Sequence, residues 1–108
     1  MIKCVTICET CAGPGLALAA ELGCIEGWGI VMHPCLSVCN EPVAIAVQGD
    51  GGATYVFAGL TDADAENVRV FVALYDAAPS GWIEDARPAG RMRFCLKTRV
   101  PALKVMAR

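Results

Sequence analysis

Two short β-branched runs, Ile2 to Cys8 and Trp28 to His33, bracket the stretch Leu16-Ala-Leu-Ala-Ala-Glu-Leu22. Alanine and leucine are strong helix formers, Pro14 suits a first helical turn, and Gly23 suits the left-handed residue that closes a helix. Strand, helix and strand in that order close as a right-handed crossover, which sets the two strands parallel in one sheet. After the loop Pro34 to Pro42, Val43-Ala-Ile-Ala-Val47 and Ala53-Thr-Tyr-Val-Phe57 flank Gln48-Gly-Asp-Gly-Gly52. So short a glycine-rich connection predicts an antiparallel hairpin. Thr61-Asp-Ala-Asp64 then offers a hydroxyl cap and first-turn acids, and Val68, Phe71, Val72 and Tyr75 recur at i, i+3, i+4, i+7 on one helical face. Pro79-Ser-Gly81 ends that helix, and the remainder of the chain reads as irregular or as a final edge segment.

The order β-α-β and then β-β-α is the thioredoxin-like arrangement. It predicts one α/β domain over residues 1–108, with a four-stranded mixed sheet and helices packed on it. In that topology the loop after the first strand and the loop before the hairpin lie at the same end of the sheet. The first carries Cys8 and Cys11, the second Cys35 and Cys39. Two cysteine pairs far apart in sequence are therefore expected to converge.

Composition agrees with a folded domain: 56% of residues are hydrophobic and 19% charged, unlike a disordered chain. Aliphatic runs such as Leu16–Ala20 and Val43–Val47 fall far below the roughly 20 residues of a membrane span or the roughly 7 to 15 of a signal core. A cytoplasmic protein is expected. The seven cysteines are an odd count in a chain without a secretory signal, and a reducing cytosol would keep them as thiols. They read as ligands or redox groups rather than as staples.

Charge is divided. Residues 1–86 hold all 11 acids and only Lys3 and Arg69, whereas the basic segment 87–108 holds Arg87, Arg91, Arg93, Lys97, Arg99, Lys104 and Arg108 and no acid. The expectation is that this segment packs on its own acidic body, with a docking role as the alternative. No basic helical face with aromatic interleaving accompanies it, so nucleic acid is not expected as a partner.

Four convergent thiolates hold either a [2Fe–2S] cluster, with two cysteines per iron, or a structural zinc. Cys8-x2-Cys11 and Cys35-x3-Cys39 can each chelate one metal ion, and spacing does not choose between iron and zinc. Cys24 lies just past the expected helix and is the reserve ligand. Cys4 and Cys95 read as small core residues, and Cys24 as more often packing than ligating. His33, two residues before Cys35, reads as a surface or structural histidine. Trp28, Trp82 and Tyr75 read as core or edge packing, with Trp82 also suited to a dimer contact. Pro42, just before the hairpin, stands where thioredoxin folds commonly hold a cis-proline.

Cys35-x3-Cys39 in such a domain resembles the second ligand pair of thioredoxin-like [2Fe–2S] ferredoxins and of the related cluster subunit of respiratory NADH dehydrogenase. Cys8-Glu-Thr-Cys11, Cys35-Leu-Ser-Val-Cys39-Asn-Glu-Pro42, Thr54-Tyr-Val-Phe57-Ala-Gly59, Leu74-Tyr75, Gly81-Trp82 and Arg99-Val-Pro101 together resemble a family of small bacterial proteins described as predicted metal-binding. The ferredoxins space their first two ligands more widely than Cys8 and Cys11. The closer family often has a further cysteine where this chain has Val43. The resemblance implies a one-electron carrier that docks on a redox partner protein, with Cys8, Cys11, Cys35 and Cys39 as cluster ligands, and a homodimer. Glu9 and Glu41 beside the ligand segments could meet a basic reductase surface and push the potential down. The alternatives are a C-x-x-C thiol-disulfide oxidoreductase and a zinc-binding interaction module.

Overall fold

The computed structural model describes residues 3–8, 13–33 and 43–102. Five strands form one mixed sheet: β1 (Lys3–Cys8), β2 (Gly29–His33), β3 (Ile45–Gly49), β4 (Thr54–Phe57) and β5 (Leu96–Val100). Their spatial order is β2-β1-β3-β4-β5. Helix α1 (Gly13–Leu22) carries the chain from β1 to β2, which run parallel, and α2 (Ala65–Ala77) comes after β4. The other three pairings are antiparallel.

The sheet therefore has five strands, not the four expected. β5 is hard to recognise because only Leu96 of its residues is even half-buried, and the other four are exposed. An edge strand paired on one side need not show the alternation by which strands are recognised. A register shift between Val56 and Phe57 further breaks the pattern it must match. Between Pro79 and β5 the chain turns through 3-10 segments at Pro79–Gly81 and Arg87–Cys95, the latter kinked at Gly90.

Other elements obey their local chemistry. Gly23 takes φ 58° and donates its N–H to the carbonyl of Ala19 at 3.2 Å, closing α1 as its sequence predicts. Thr61 Oγ1 accepts from the Ala63 N–H at 3.2 Å, and the Asp64 carboxylate accepts from the Thr61 N–H at 2.9 Å. That reciprocal box starts the segment with a 3-10 turn at Asp62–Asp64 before α2 takes over. Val68, Phe71, Val72 and Tyr75 are all buried. β3 begins two residues later than expected, because Val43 pairs with Leu60 through hydrogen bonds of 2.9 and 3.2 Å.

Val5, Ile7, Ile45, Val47, Tyr55 and Phe57 share one sheet face by register and period, and all are buried. α2 covers that face: the Phe71 ring stands edge-on to both Tyr55 and Phe57, with centroids 5.0 Å apart in each case. Leu18 and Leu22 of α1 join the same core. α1 lies beside α2, and Arg69 of α2 donates to the carbonyl of Glu21 at the end of α1.

Tyr75 occupies a slot walled by glycines. A methyl group at Gly52 or Gly81 would overlap its ring or hydroxyl, and one at Gly49 would stand 3.1 Å from the hydroxyl. The hydroxyl donates to the carbonyl of Ala53 at 2.6 Å, and the ring meets Trp28 edge-on at 5.2 Å. Burial pushes this phenol above its ordinary value. The unfolded chain would ionise first, so this contribution runs against folding only as pH climbs past the ordinary phenol range, about pH 10, where the folded state must keep a proton that the unfolded chain has lost. Among the described residues no helix is long and apolar enough to cross a membrane.

Candidate functional site

One end of the sheet gathers the flanks of both cysteine segments. β1 ends at Cys8 and β2 at His33, and these two residues are register partners. The backbone N–H of Cys8 donates to the carbonyl of Ala44 at 2.9 Å, just before β3 begins. Residues 9–12 leave from Cys8, and residues 34–42 leave from His33 and return at Val43. The end is completed by Leu60, hydrogen-bonded to Val43, and by Cys95, whose carbonyl accepts from the Ala58 N–H at 3.0 Å.

Of the four expected ligands only Cys8 is described. It is fully buried in the core. Cys11, Cys35 and Cys39 lie outside the described residues, as do Glu9, Glu41 and Pro42. The donor chemistry at Cys8 suits a soft metal: a thiol shielded from water, on rigid strand backbone, beside both flanks of the second ligand segment. Among the described residues no group of three or more His, Cys, Asp or Glu side chains is arranged to hold a metal ion.

The other cysteines divide. Cys24 is exposed, which corrects the reading of it as a packed residue. It precedes the Ile25–Trp28 bridge and Gly29, which pairs with Cys4, so it belongs to the opposite end of the sheet from Cys8. Four residues of strand, about 13 Å, separate those two ends of β1. Cys24 is thus poorly placed as the reserve ligand. Cys95 is buried as expected, and its sulfur accepts from Arg91 Nη1 at 3.2 Å. Cys4 is only half-buried, against the expectation of a core position, and borders a depression of about 290 Å³ lined also by Gln48, Gly49 and Asp50.

A polar cluster at that opposite end was not legible in the sequence. Asp76 accepts from Trp28 Nε1 at 3.1 Å and pairs with Lys3, whose ammonium also lies 5.4 Å from the centre of the Trp28 indole. Lys3 and Asp76 are 73 residues apart, and no local signal joins them. Trp28 is buried, as expected of core packing, with its indole N–H satisfied.

The basic segment partly packs on the body. Arg91 spans from the Asp64 carboxylate, at 3.1 Å, to the Gly59 carbonyl, at 2.6 Å. Arg87 grips Asp85 with two nitrogens at 2.9 and 2.8 Å, and its backbone N–H adds a third bond at 3.1 Å. These bonds from Arg87 hold the Asp85 carboxyl down at about 2. Its contribution to stability is present above the ordinary carboxylate range and is lost as pH falls through about 2. A carbon-detected NMR titration should find the Asp85 midpoint there, and Arg87→Gln should return it toward the usual value of about 3.9. A normal midpoint in the unaltered chain would refute the pairing in solution.

A family model described as "Protein of unknown function (DUF1636)" matches residues 17–102. No curated protein and no solved structure matches the chain.

Proposed function

We infer that this chain, which belongs to the DUF1636 family, is a thioredoxin-like [2Fe–2S] protein of ferredoxin type that carries one electron to or from a protein partner. The observation that carries the reading is the sheet end at Cys8. The flanks of both cysteine segments, Cys8, His33 and Val43–Ala44, meet there through strand register and a backbone hydrogen bond. The thioredoxin-like part is supported by the order β2-β1-β3-β4, with β1 and β2 parallel and the hairpin antiparallel, to which β5 is an addition.

Cys8, Cys11, Cys35 and Cys39 would hold the cluster, which when bound supplies a one-electron couple. The rest of the work falls to the chain. Pairing with His33 of β2 and the hydrogen bond to Ala44 fix the Cys8 backbone, so the sulfur is offered without reordering. Burial of Cys8 keeps water from that sulfur, and solvent exposure is one of the levers on the potential. Such a carrier needs no substrate pocket and no acid–base residues, only a surface on which the partner docks.

Anaerobic purification with a visible spectrum and metal analysis of the same sample tests the reading. The expected sample is brown, bleaches with dithionite, and contains about two irons and two sulfides per chain. Cys8→Ser, Cys11→Ser, Cys35→Ser and Cys39→Ser should each reduce the iron bound, and Cys24→Ser should leave it unchanged. A colourless protein with about one zinc would assign an interaction module instead. A metal-free protein even after iron–sulfur reconstitution would assign the C-x-x-C dithiol chemistry.

A further inference from the structure

Residues 86–102 carry Arg87, Arg91, Arg93, Lys97 and Arg99 and no acid. Arg87 pairs with Asp85 and Arg91 with Asp64, and the Arg93 charge adds to the field that lowers the Asp85 carboxyl. Arg93 and Arg99 are held differently. The Arg93 guanidinium lies 4.5 Å from the centre of the Phe94 ring, and that of Arg99 lies 4.4 Å from the centre of Trp82. Among the described residues neither forms an ion pair. Stacking occupies only the flat face of a guanidinium, so the N–H edges of both remain for an acceptor.

Phe94 itself is 75% exposed, against 43% for Val31 and 52% for Val100. A phenylalanine held out in water beside an arginine has the composition of an interface centre. Its place matters as well. Leu96 pairs with Phe57, Phe57 with Ile45 and Ile45 with Ile7, so β5 begins at the same end of the sheet as Cys8. Three strand spacings of about 4.8 Å separate β5 from β1.

We propose that Arg93, Phe94 and Arg99 form a docking surface for an acidic protein partner, which seats the Phe94 ring in an apolar pocket and offers carboxylates to the arginines. This deepens the proposed electron transfer and rests on it only for the partner's redox role. Charge selects the partner's sign, and the ring separates a protein pocket from a bare polyanion. A nucleic-acid strand would call for a row of stacking rings along a basic groove, whereas a single exposed ring is present on this strip. The acidic sign also reverses the basic reductase surface expected from Glu9 and Glu41.

The test selects a random peptide phage library on the immobilised full chain, then applies nitrogen-15 NMR with a synthetic copy of the strongest peptide. The expected peptides are net acidic with an aromatic or aliphatic residue, and they shift amide signals within residues 91–100. Phe94→Ala should weaken that peptide at least about tenfold while leaving the thermal midpoint unchanged. Arg93→Glu combined with Arg99→Glu should abolish binding, and polyglutamate, which lacks apolar side chains, should bind far more weakly. Neutral or basic peptides, or affinity indifferent to Phe94→Ala, would overturn the proposal. A single-stranded oligonucleotide that displaces the peptide from the same residues would overturn it in favour of nucleic acid. Docking is read without reference to colour, so its failure and the failure of the cluster reading are separate results.

Discussion

Gly81→Ala should destabilise the chain by about 3 kcal/mol, combining about 1 to 2 kcal/mol for a side chain at positive φ with about 1 to 3 for overpacking. Gly81 takes φ 70°, and a Cβ there would overlap the Tyr75 ring. The ring cannot easily retreat. Its hydroxyl is tied to Ala53, its edge meets Trp28, and Gly49 and Gly52 close the slot on other sides. The Gly81 carbonyl also accepts from the Tyr55 hydroxyl at 2.7 Å, and the same hydroxyl accepts from the Ile83 N–H at 2.8 Å. Moving Gly81 would therefore disturb a second buried tyrosine. Urea denaturation should show the loss directly, and the thermal midpoint should fall by more than about 10 °C for a domain of this size. In a Tyr75→Leu background the same substitution should cost only the backbone part, about 1 to 2 kcal/mol. A loss below about 0.5 kcal/mol, the range of an ordinary surface change, would mean that the slot does not exist in solution.

Asp64→Ala should cost about 2 to 3 kcal/mol, less than the roughly 3 to 5 of a fully buried broken pair. The Asp64 side chain is 3% exposed, and its carboxylate accepts from the Thr61 N–H, from Asn67 Nδ2 at 3.2 Å and from Arg91. One carboxylate thus joins the cap of α2, the body of α2 and the basic segment. The discount arises from Arg91, whose side chain is 51% exposed and can turn to water when its partner is removed. Arg91→Ala should cost less, because the carboxylate keeps Thr61 and Asn67. A double-mutant cycle by urea denaturation measures the coupling directly, and a value indistinguishable from zero would reduce the Asp64–Arg91 contact to an incidental surface pair.

These contacts also show how far the sequence could be read. Thr61 and Asp64 are three residues apart, and the spacing of Val68, Phe71, Val72 and Tyr75 is local, so α2 and its cap were legible. Gly23 and Pro79-Ser-Gly81 stopped their helices as their backbone chemistry requires. β5 was not legible as a sheet strand, because Leu96-Lys-Thr-Arg-Val100 has one half-buried residue and its partner β4 lies roughly 40 positions back. The fit of Tyr75 among Gly49, Gly52 and Gly81 was also hidden: a loop glycine looks the same whether it frees the backbone or makes room for a ring. At the candidate site, strand order places Cys8 beside the flanks of the second cysteine segment. Cys11, Cys35 and Cys39 lie outside the described residues, so for them the reading still stands on sequence.

β5 has a further consequence during synthesis. It is the last of the five strands to leave the ribosome, and until it emerges β4 is the rim of the sheet. Thr54-Tyr-Val-Phe57 is short, uncharged and rich in β-forming residues, the kind of rim that recruits strands from neighbouring chains. Once docked, β5 replaces it with an outer strand bearing Lys97 and Arg99, charges that discourage further strand addition. The strand least visible in the sequence is thus the one that covers the most adhesive rim of the finished sheet.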